Sequence, residues 1–305
     1  MVSTTAVLDA RGVRRRGQLY VALAALAWST AGILQRELTV DTATQVTGRA
    51  FVATFALFGF VALQERGDVM RPFRSMGRAE LLVAVCTAIA SGTFIVALNH
   101  TSVANVLFMQ ALAPIAAALI AWVALRESVT RRTAVAMVVA LGGVAIMVGG
   151  PGGAKGLGLA LSVVMTLAFA LAVVVTRHRR DISMAPAICL SQVIVVAVAA
   201  PFAAVDSIGT HDLLVIVLHG VGQMGLGLAF LTMGARLISA AEVALITLLE
   251  VVAGPAWVWL ANGERPSTTT LVGGGVVVAA VVLQAGGEGH EAPPTDETAP
   301  AATHP

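Results

Sequence analysis

Ten apolar stretches of about 18 residues or more recur along this 305-residue chain and constrain its fold more than any other feature. As a helix, each could cross a hydrocarbon core of about 30 Å. Charged residues make up only 12% of the chain, against roughly 25% in soluble domains. The sequence therefore predicts an all-α integral membrane protein. Its ten spans, numbered one to ten, are predicted at residues 18–34, 44–63, 80–98, 103–125, 133–149, 156–176, 182–204, 213–234, 240–261 and 268–285.

Basic residues are distributed unevenly between the loops on the two sides of these spans. Fifteen of the nineteen Lys and Arg residues fall on the N-terminal side, whereas Arg36, Lys155 and Arg265 fall on the other and Arg49 lies inside span two. Cytoplasmic loops of membrane proteins carry such an excess, so both termini are predicted to be cytoplasmic, in the plasma (inner) membrane. The basic residues lack aromatic interleaving, which argues against nucleic acid as a partner.

Two stretches of the chain repeat each other. "TSVANVLFMQALAPIAAALIAWVALRESVT" aligns without a gap on "ISAAEVALITLLEVVAGPAWVWLANGERPS", so that Ser102 meets Ser239 and Trp122 meets Trp259. The chain is thus predicted to hold two five-helix units, residues 18–150 and 151–286, between a basic N-terminal segment (1–17) and a disordered cytoplasmic tail (287–305). Five is odd, so the units are predicted to be inverted repeats, an arrangement typical of secondary transporters.

The same two segments, with "LAALAWSTAGI" in span one and "TGRAF" in span two, resemble the EamA family of the drug/metabolite transporter superfamily. The resemblance extends from about Gln18 to Ala285. It implies ten helices, a central cavity lined mainly by spans one, three, four, six, eight and nine, and transport, often export, of amino acids or similar small metabolites. One position departs from the family pattern, in which Glu-Pro is frequent in the second repeat. Here Val251 follows Glu250, so a kink is not predicted beside the acid, or is displaced by about one turn towards Pro255.

Glu250 is the candidate that most needs explanation, because it lies near the middle of an otherwise apolar span. An acid at that depth costs about 3 kcal/mol, which the Leu, Ile and Val residues of span nine offset. Its carboxyl group could face the cavity and bind a substrate amine or a proton. Alternatively, a protonated acid could form a hydrogen bond to a neighbouring helix.

Other polar residues within the spans are candidates for substrate binding. Arg49 either extends to the interface, pairs with an acid or helix carbonyls, or binds a substrate carboxylate. His219 and Gln223 are four residues apart on one predicted helix face, and either line the cavity beside Glu250 or form interhelical hydrogen bonds. Gln110 precedes Pro114 by about one turn, where a broken helix could face a cavity.

Trp28 and Ser29 lie at mid-depth in span one, where Trp28 could line an apolar pocket or fill a helix interface. Trp122, Trp257 and Trp259 are expected in the interfacial belt. Asn99 and His100 are expected to cap span three. The glycines of spans five, eight and ten predict close helix packing, and Cys86 and Cys189 are expected to pack as small apolar residues.

We therefore predict a secondary transporter that moves a small-molecule substrate across the lipid bilayer and requires no cofactor. The family resemblance implies that it is an exporter. The alternatives are an intramembrane enzyme or carrier for lipid-linked substrates, and an accessory subunit. The sequence has no HExxH, GxSxG or G-x-x-x-x-G-K-[ST] motif, which argues against an enzyme and against direct use of ATP. The acids are too scattered to predict a metal site. The pattern leaves substrate identity, the direction of net transport, the coupling ion and the oligomeric state open.

Overall fold

The computed structural model describes residues 4–64, 68–100, 106, 109–127, 129–148, 156–262 and 267–285, and every regular element within these ranges is a helix. A π-helix (His219–Leu226) and two 3₁₀ turns (Ala200–Phe202 and Val205–Ser207) interrupt the α-helices. The α-helices are α1 (Thr4–Ser29), α2 (Ala31–Arg36), α3 (Thr42–Gln64), α4 (Arg71–Arg74), α5 (Arg78–His100), α6 (Ala113–Leu125), α7 (Arg131–Val148), α8 (Gly156–His178), α9 (Ala185–Ala199), α10 (Thr210–Leu218), α11 (Gly227–Ala235), α12 (Ala240–Thr247), α13 (Leu249–Asn262) and α14 (Thr268–Ala285).

Helices occupy most of the described residues of each of the ten predicted spans. Among the described residues, five helical segments are long and apolar enough to cross a membrane: Thr42–Gln64, Arg78–Ala97, Gly156–His178, Ala185–Phe202 and Thr210–Ala235. The all-helical membrane class is confirmed, and the count of ten spans stays a prediction. The first helix begins at Thr4, well before the predicted start at Gln18, so the basic N-terminal residues continue the helix of span one.

Large apolar side chains on the outer surface indicate contact with lipid. Phe55, Trp122 and Leu283 are each about 60% exposed, at 62%, 60% and 62%. Soluble monomers rarely expose such residues in contiguous patches, whereas acyl chains cover them at no cost. Trp122 and Trp259 are both exposed, and their place in the interfacial belt stays a prediction.

The same pairs of equivalent helices pack together when the two repeats are interchanged. The helix of span one (α1) packs on that of span eight (α11), and the helix of span six (α8) packs on that of span three (α5). Each of these contacts becomes the other when the repeats are exchanged. Spans two and seven (α3 and α9) pack on each other, as do spans five and ten (α7 and α14). Two similar halves related by a two-fold axis produce such a pattern.

Two glycines allow helices of different repeats to approach closely. A Cβ atom at Gly143 of α7 would lie 2.8 Å from the carbonyl oxygen of Gly273 in α14, and one at Gly220 would lie 2.6 Å from Cβ of Val52 in α3. The prediction of close packing is therefore correct at these positions. It is wrong for Gly142, Gly222 and Gly275, where an added Cβ would meet no atom within 4 Å.

A polar contact joins α1 to the start of α12. Glu242, which is only 4% exposed, accepts a hydrogen bond of 2.6 Å from Nε2 of Gln18 and lies 3.0 Å from Nη2 of Arg14. Its backbone N–H also donates to Oγ of Ser239, the N-cap of α12, at 3.2 Å. The first repeat is thus fastened to the second at this end of the molecule.

Candidate functional site

The helices of spans four and nine are both interrupted, and at equivalent places. In the first repeat, a turn at Ala111 and Leu112 precedes α6, with the N–H of Leu112 bonded to the carbonyl of Met109 at 3.0 Å. In the second, α12 ends at Thr247 and α13 begins at Leu249. The ungapped repeat alignment pairs Ala111 with Leu248, so the two breaks coincide.

A kink does lie beside Glu250, and it is not displaced by one turn towards Pro255. The N–H of Leu248 bonds to the carbonyl of Leu245 at 3.2 Å, and the N–H of Val251 bonds to that of Leu248 at 3.0 Å. These i to i+3 bonds tighten the chain into a 3₁₀ turn and end α12 without a proline. Pro255 lies farther along, inside α13.

Glu250 consequently lies in the first turn of α13, where the unpaired N–H groups and the helix dipole favour negative charge. Its Oε2 accepts a hydrogen bond of 3.1 Å from Nε2 of Gln110, at the break in the first repeat. Oε1 of Gln110 is buried and has no hydrogen-bond partner among the described residues. The contact joins the two interrupted helices across the molecule, so the interhelical hydrogen bond weighed for Glu250 is present.

A cavity of about 120 Å³ lies beside this contact. Residues of spans one, three, four, six, eight and nine line it, as the family resemblance implies, together with Arg49 of span two and Ile188 of span seven. Trp28, Phe94 and Phe169 supply aromatic surface. Its polar lining residues are Arg49, Thr87, Ser91, Gln110, Thr166, Thr176, Gln223, Thr232 and Glu250.

Arg49 borders the cavity, and its side chain is buried within the protein, with only 3% exposed. Its Nη2 atom lies 3.4 Å from the carbonyl oxygen of Ser91, so of the structural alternatives the pairing with a helix carbonyl is the one present. The hydroxyl of Ser91, which also borders the cavity, is buried and has no partner among the described residues. A cation and an acid, Arg49 and Glu250, thus border one cavity.

His219 and Gln223 separate in the structure, contrary to the expectation that they share a cavity-facing side. Both belong to the π-helix, whose i to i+5 bonding shifts the residues that share a face. Gln223 lines the cavity, and its Oε1 is buried and unpartnered within the described chain. His219 is 1% exposed and lies outside the lining, with both ring nitrogens unpartnered there.

Trp28 and Ser29 also face in different directions. Trp28 lines the cavity and packs edge-on against Phe169, with ring centroids 5.9 Å apart. It lies against Gly227 of α11, where an added Cβ would overlap the indole nitrogen. Ser29 faces away and accepts a hydrogen bond of 2.7 Å from Nε1 of Trp257. Trp257 therefore joins spans one and nine, and its place in the interfacial belt stays a prediction.

Several cavity residues were missed from the sequence. Thr87 and Ser91 are four residues apart on α5, and Thr166 on α8 bonds through its hydroxyl to the carbonyl of Met109 at 3.1 Å, next to the break. The spacing of Thr87 and Ser91 on one helix face was the signal available.

Cys86 and Cys189 are buried and unpaired, as expected. The side chain of Asn99 lies outside the described residues. The ring of His100 contacts the carbonyl of Val96 at 2.8 Å. Within the described chain, no His, Cys, Asp and Glu cluster could hold a metal ion.

Comparison with known proteins identifies the family and the fold. The model of the EamA-like transporter family matches residues 15–149 and again residues 156–285. Among solved structures, one described only as "Crystal structure of protein" superposes with a TM-score of 0.74 at 16% identity, over 88% of this chain and 96% of the other. That likeness concerns the fold alone. None of the curated proteins matches the sequence.

Proposed function

We propose, from the premise that this chain belongs to the EamA-like transporter family, that it is a secondary transporter that exports amino acids or similar small metabolites by alternating access. The observation that carries the proposal is the cavity bordered by Arg49 and Glu250 at the meeting point of two interrupted helices. Interrupted helices place unpaired backbone groups and opposite charges where a polar solute can bind inside a bilayer.

The cavity chemistry favours a substrate with both signs of charge and some apolar surface. Arg49 is suited to a carboxylate, whereas Glu250 and the unpartnered oxygens of Gln110 and Gln223 are suited to an ammonium group. Trp28, Phe94 and Phe169 offer apolar contact to a side chain. A zwitterionic amino acid combines these features, and the set Glu250, Gln223, Gln110, Trp28 and Arg49 is our proposed binding site.

Alternating access requires two halves that move against each other around this site. We assign the halves to residues 18–150 and 151–286 and propose that they are inverted repeats with ten spans in all. The exchange-symmetric packing of α1 with α11 and α8 with α5 supports this assignment. We further propose that both termini are cytoplasmic and that the membrane is the plasma membrane; the charge bias between loops supports the orientation of the termini. Within the described cavity lining, Glu250 is the one carboxylate, which disfavours an enzyme that works by a pair of acids.

Proteoliposomes that contain only this protein test the transport proposal. We expect uptake of labelled amino acids above empty vesicles. Glu250→Gln should lower the rate about tenfold or alter its pH dependence, because a hydrogen bond to a charged group contributes about 1.5–3 kcal/mol. Glu37→Gln, a change at an exposed acid, is the matched control.

Two outcomes would contradict the proposal. Flux of Glu250→Gln equal to wild type at every pH would remove the acid from the mechanism, and substrate modification without flux would favour an enzyme. Accessibility labelling tests the topology separately. Labels at the N-terminus and at Lys155 should react from opposite sides, and reaction from one side would exclude inverted repeats.

A further inference from the structure

A second hollow, separate from the central cavity, lies between α1 and the C-terminal ends of α8 and α11. Its volume is about 420 Å³. Three arginines and three apolar residues line it: Arg177, Arg180, Arg236, Val13, Met233 and Leu237. It lies next to the central cavity along two helices, because Thr176 and Ala235 line the cavity and their neighbours Arg177 and Arg236 line the hollow.

Backbone carbonyls, more than acids, hold the side chains of Arg236 and Arg177. Nε of Arg236 donates to the carbonyl oxygen of Arg180 at 3.0 Å, and Nη1 of Arg177 donates to that of Arg236 at 3.4 Å. Carbonyl bonds fix the guanidinium groups in place without neutralising their charge. Nε of Arg177 is buried without a hydrogen-bond partner among the described residues, with Oε1 of Glu127 3.9 Å away.

The acids around the hollow leave positive charge uncompensated. Asp181 is engaged by Arg179 through two hydrogen bonds of 3.2 Å, and the bond from that guanidinium holds the pKa of Asp181 below its ordinary value. The carboxylate of Glu127 lies 3.9 Å from Nε of Arg177 and partly compensates that charge. Asp181 also interacts with Arg236 at longer range, which lowers the pKa of Asp181 further, but within the described chain neither Arg180 nor Arg236 has a carboxylate within 4.0 Å, so neither guanidinium group forms a direct ion pair.

We propose that this hollow binds an anionic phosphate group and that its occupant is the headgroup of an acidic phospholipid. Guanidinium groups match phosphate oxygens in geometry and charge, and basic pockets at the cytoplasmic ends of membrane helices suit such headgroups. Val13, Met233 and Leu237 provide apolar surface for the start of an acyl chain, which free phosphate would not use. The inference rests on the proposed orientation and is independent of which substrate is transported. A bound headgroup would brace α8 against α11 beside the cavity.

Binding of short-chain phosphatidylglycerol to the purified full-length protein tests the proposal, with phosphatidylcholine of equal chain length as the neutral comparison. Arg180→Gln is the informative variant, because it removes a guanidinium group and leaves the carbonyl that Arg236 contacts. We expect affinity for phosphatidylglycerol to fall about fivefold, the contribution of one arginine near a membrane surface. Arg131→Gln, an exposed arginine on the same predicted side but outside the hollow, should leave it unchanged.

The other results separate the sources of the anion. Displacement of phosphatidylglycerol by millimolar inorganic phosphate would support phosphate chemistry at the site. Thermal stabilisation by inorganic phosphate with none by phosphatidylglycerol would overturn the lipid assignment. Equal binding of the two lipids, or equal losses in Arg180→Gln and Arg131→Gln, would show only general attraction to a basic surface and would overturn the site. Unchanged melting temperatures of both variants would verify that they fold.

Discussion

The interrupted helices of spans four and nine have the same break at aligned positions, but different residues produce it. In the first repeat, Pro114 lies in the first turn of α6 and cannot donate a backbone hydrogen bond to the preceding turn. In the second repeat, Val251 occupies the aligned position and the chain turns at Leu248 through 3₁₀ bonds alone. The shape of the break is therefore conserved between the halves although its local cause differs.

The charge at the two breaks differs more than the backbone. Glu250 in the second repeat aligns with Ala113 in the first, and both residues line the cavity. A two-fold scaffold thus carries a one-sided chemistry, in which the second half supplies the acid and the first half supplies its partner, Gln110. A site with one acid can distinguish the two ends of a substrate, whereas a symmetric pair of acids could not.

The helices before the two breaks also differ. Span three forms one regular helix, α5, whereas span eight contains the π-helix between α10 and α11. π-segments inside α-helices occur frequently at functional sites. Here the segment lets Gly220 pack against α3 beside Arg49 and places Gln223 at the cavity.

The largest expected effect comes from moving the acid between the repeats. Glu250→Ala should reduce transport at least tenfold, because it removes the charge and leaves Gln110 without its partner. Adding Ala113→Glu to that variant returns an acid to the cavity from the aligned position. We expect the double variant to recover part of the lost rate in the same proteoliposome assay.

Full loss in the double variant, with normal expression and melting temperature, would mean that the halves differ in more than the position of the acid. Undiminished transport by Glu250→Ala alone would contradict the one-sided chemistry.

An intermediate effect on stability is expected at the π-helix. Gly220→Ala would bring a Cβ atom to 2.6 Å from Cβ of Val52 and 2.8 Å from the carbonyl of Arg49. Overpacking of this kind costs about 1–3 kcal/mol, so the melting temperature should fall by about 2–4 °C for each kcal/mol. Gly222→Ala, two residues away in open space, is the control and should not lower it. Equal shifts in the two variants would show that the close approach to α3 is not responsible.

The smallest effect is expected from Pro114→Ala. A proline in the first turn of a helix lacks an N–H that would be unpaired there, so its loss should change stability by less than about 1 kcal/mol. Transport should persist, because the second repeat makes the same break without proline. A loss of transport rate as large as that expected for Glu250→Ala would show that the first break depends on Pro114 alone. Thermal unfolding and uptake, measured on one preparation, give both results.

The helices and the repeat could be predicted from sequence because hydropathy and self-similarity are properties of neighbouring residues. The direction in which a side chain faces was harder to predict. Trp28 and Ser29 are adjacent, yet one lines the cavity and the other bonds to Trp257. That outcome depends on how α1 is rotated against its neighbours, which Gly227 permits by making room for the indole.

His219 and Leu248 show two further limits. The spacing of His219 and Gln223 predicts a shared face only if the helix is α, and the π-helix removes that condition. The break at Leu248 has no proline within one turn on either side, so no local signal marks it. For Arg49, in contrast, the sequence did predict the observed contact as one alternative. Because an arginine inside a span keeps its charge, pairing with a helix carbonyl was among the expected arrangements.

Glu242 has a consequence for movement. It fixes the start of α12 to the first repeat, and the bond between Gln110 and Glu250 fixes the start of α13 to the same repeat. Between these two anchors the regular helical bonding is lost at Leu248, where bending costs less than within an unbroken helix. Leu248 is therefore the position in span nine where bending costs least. Release of either anchor would allow the angle between α12 and α13 to change there.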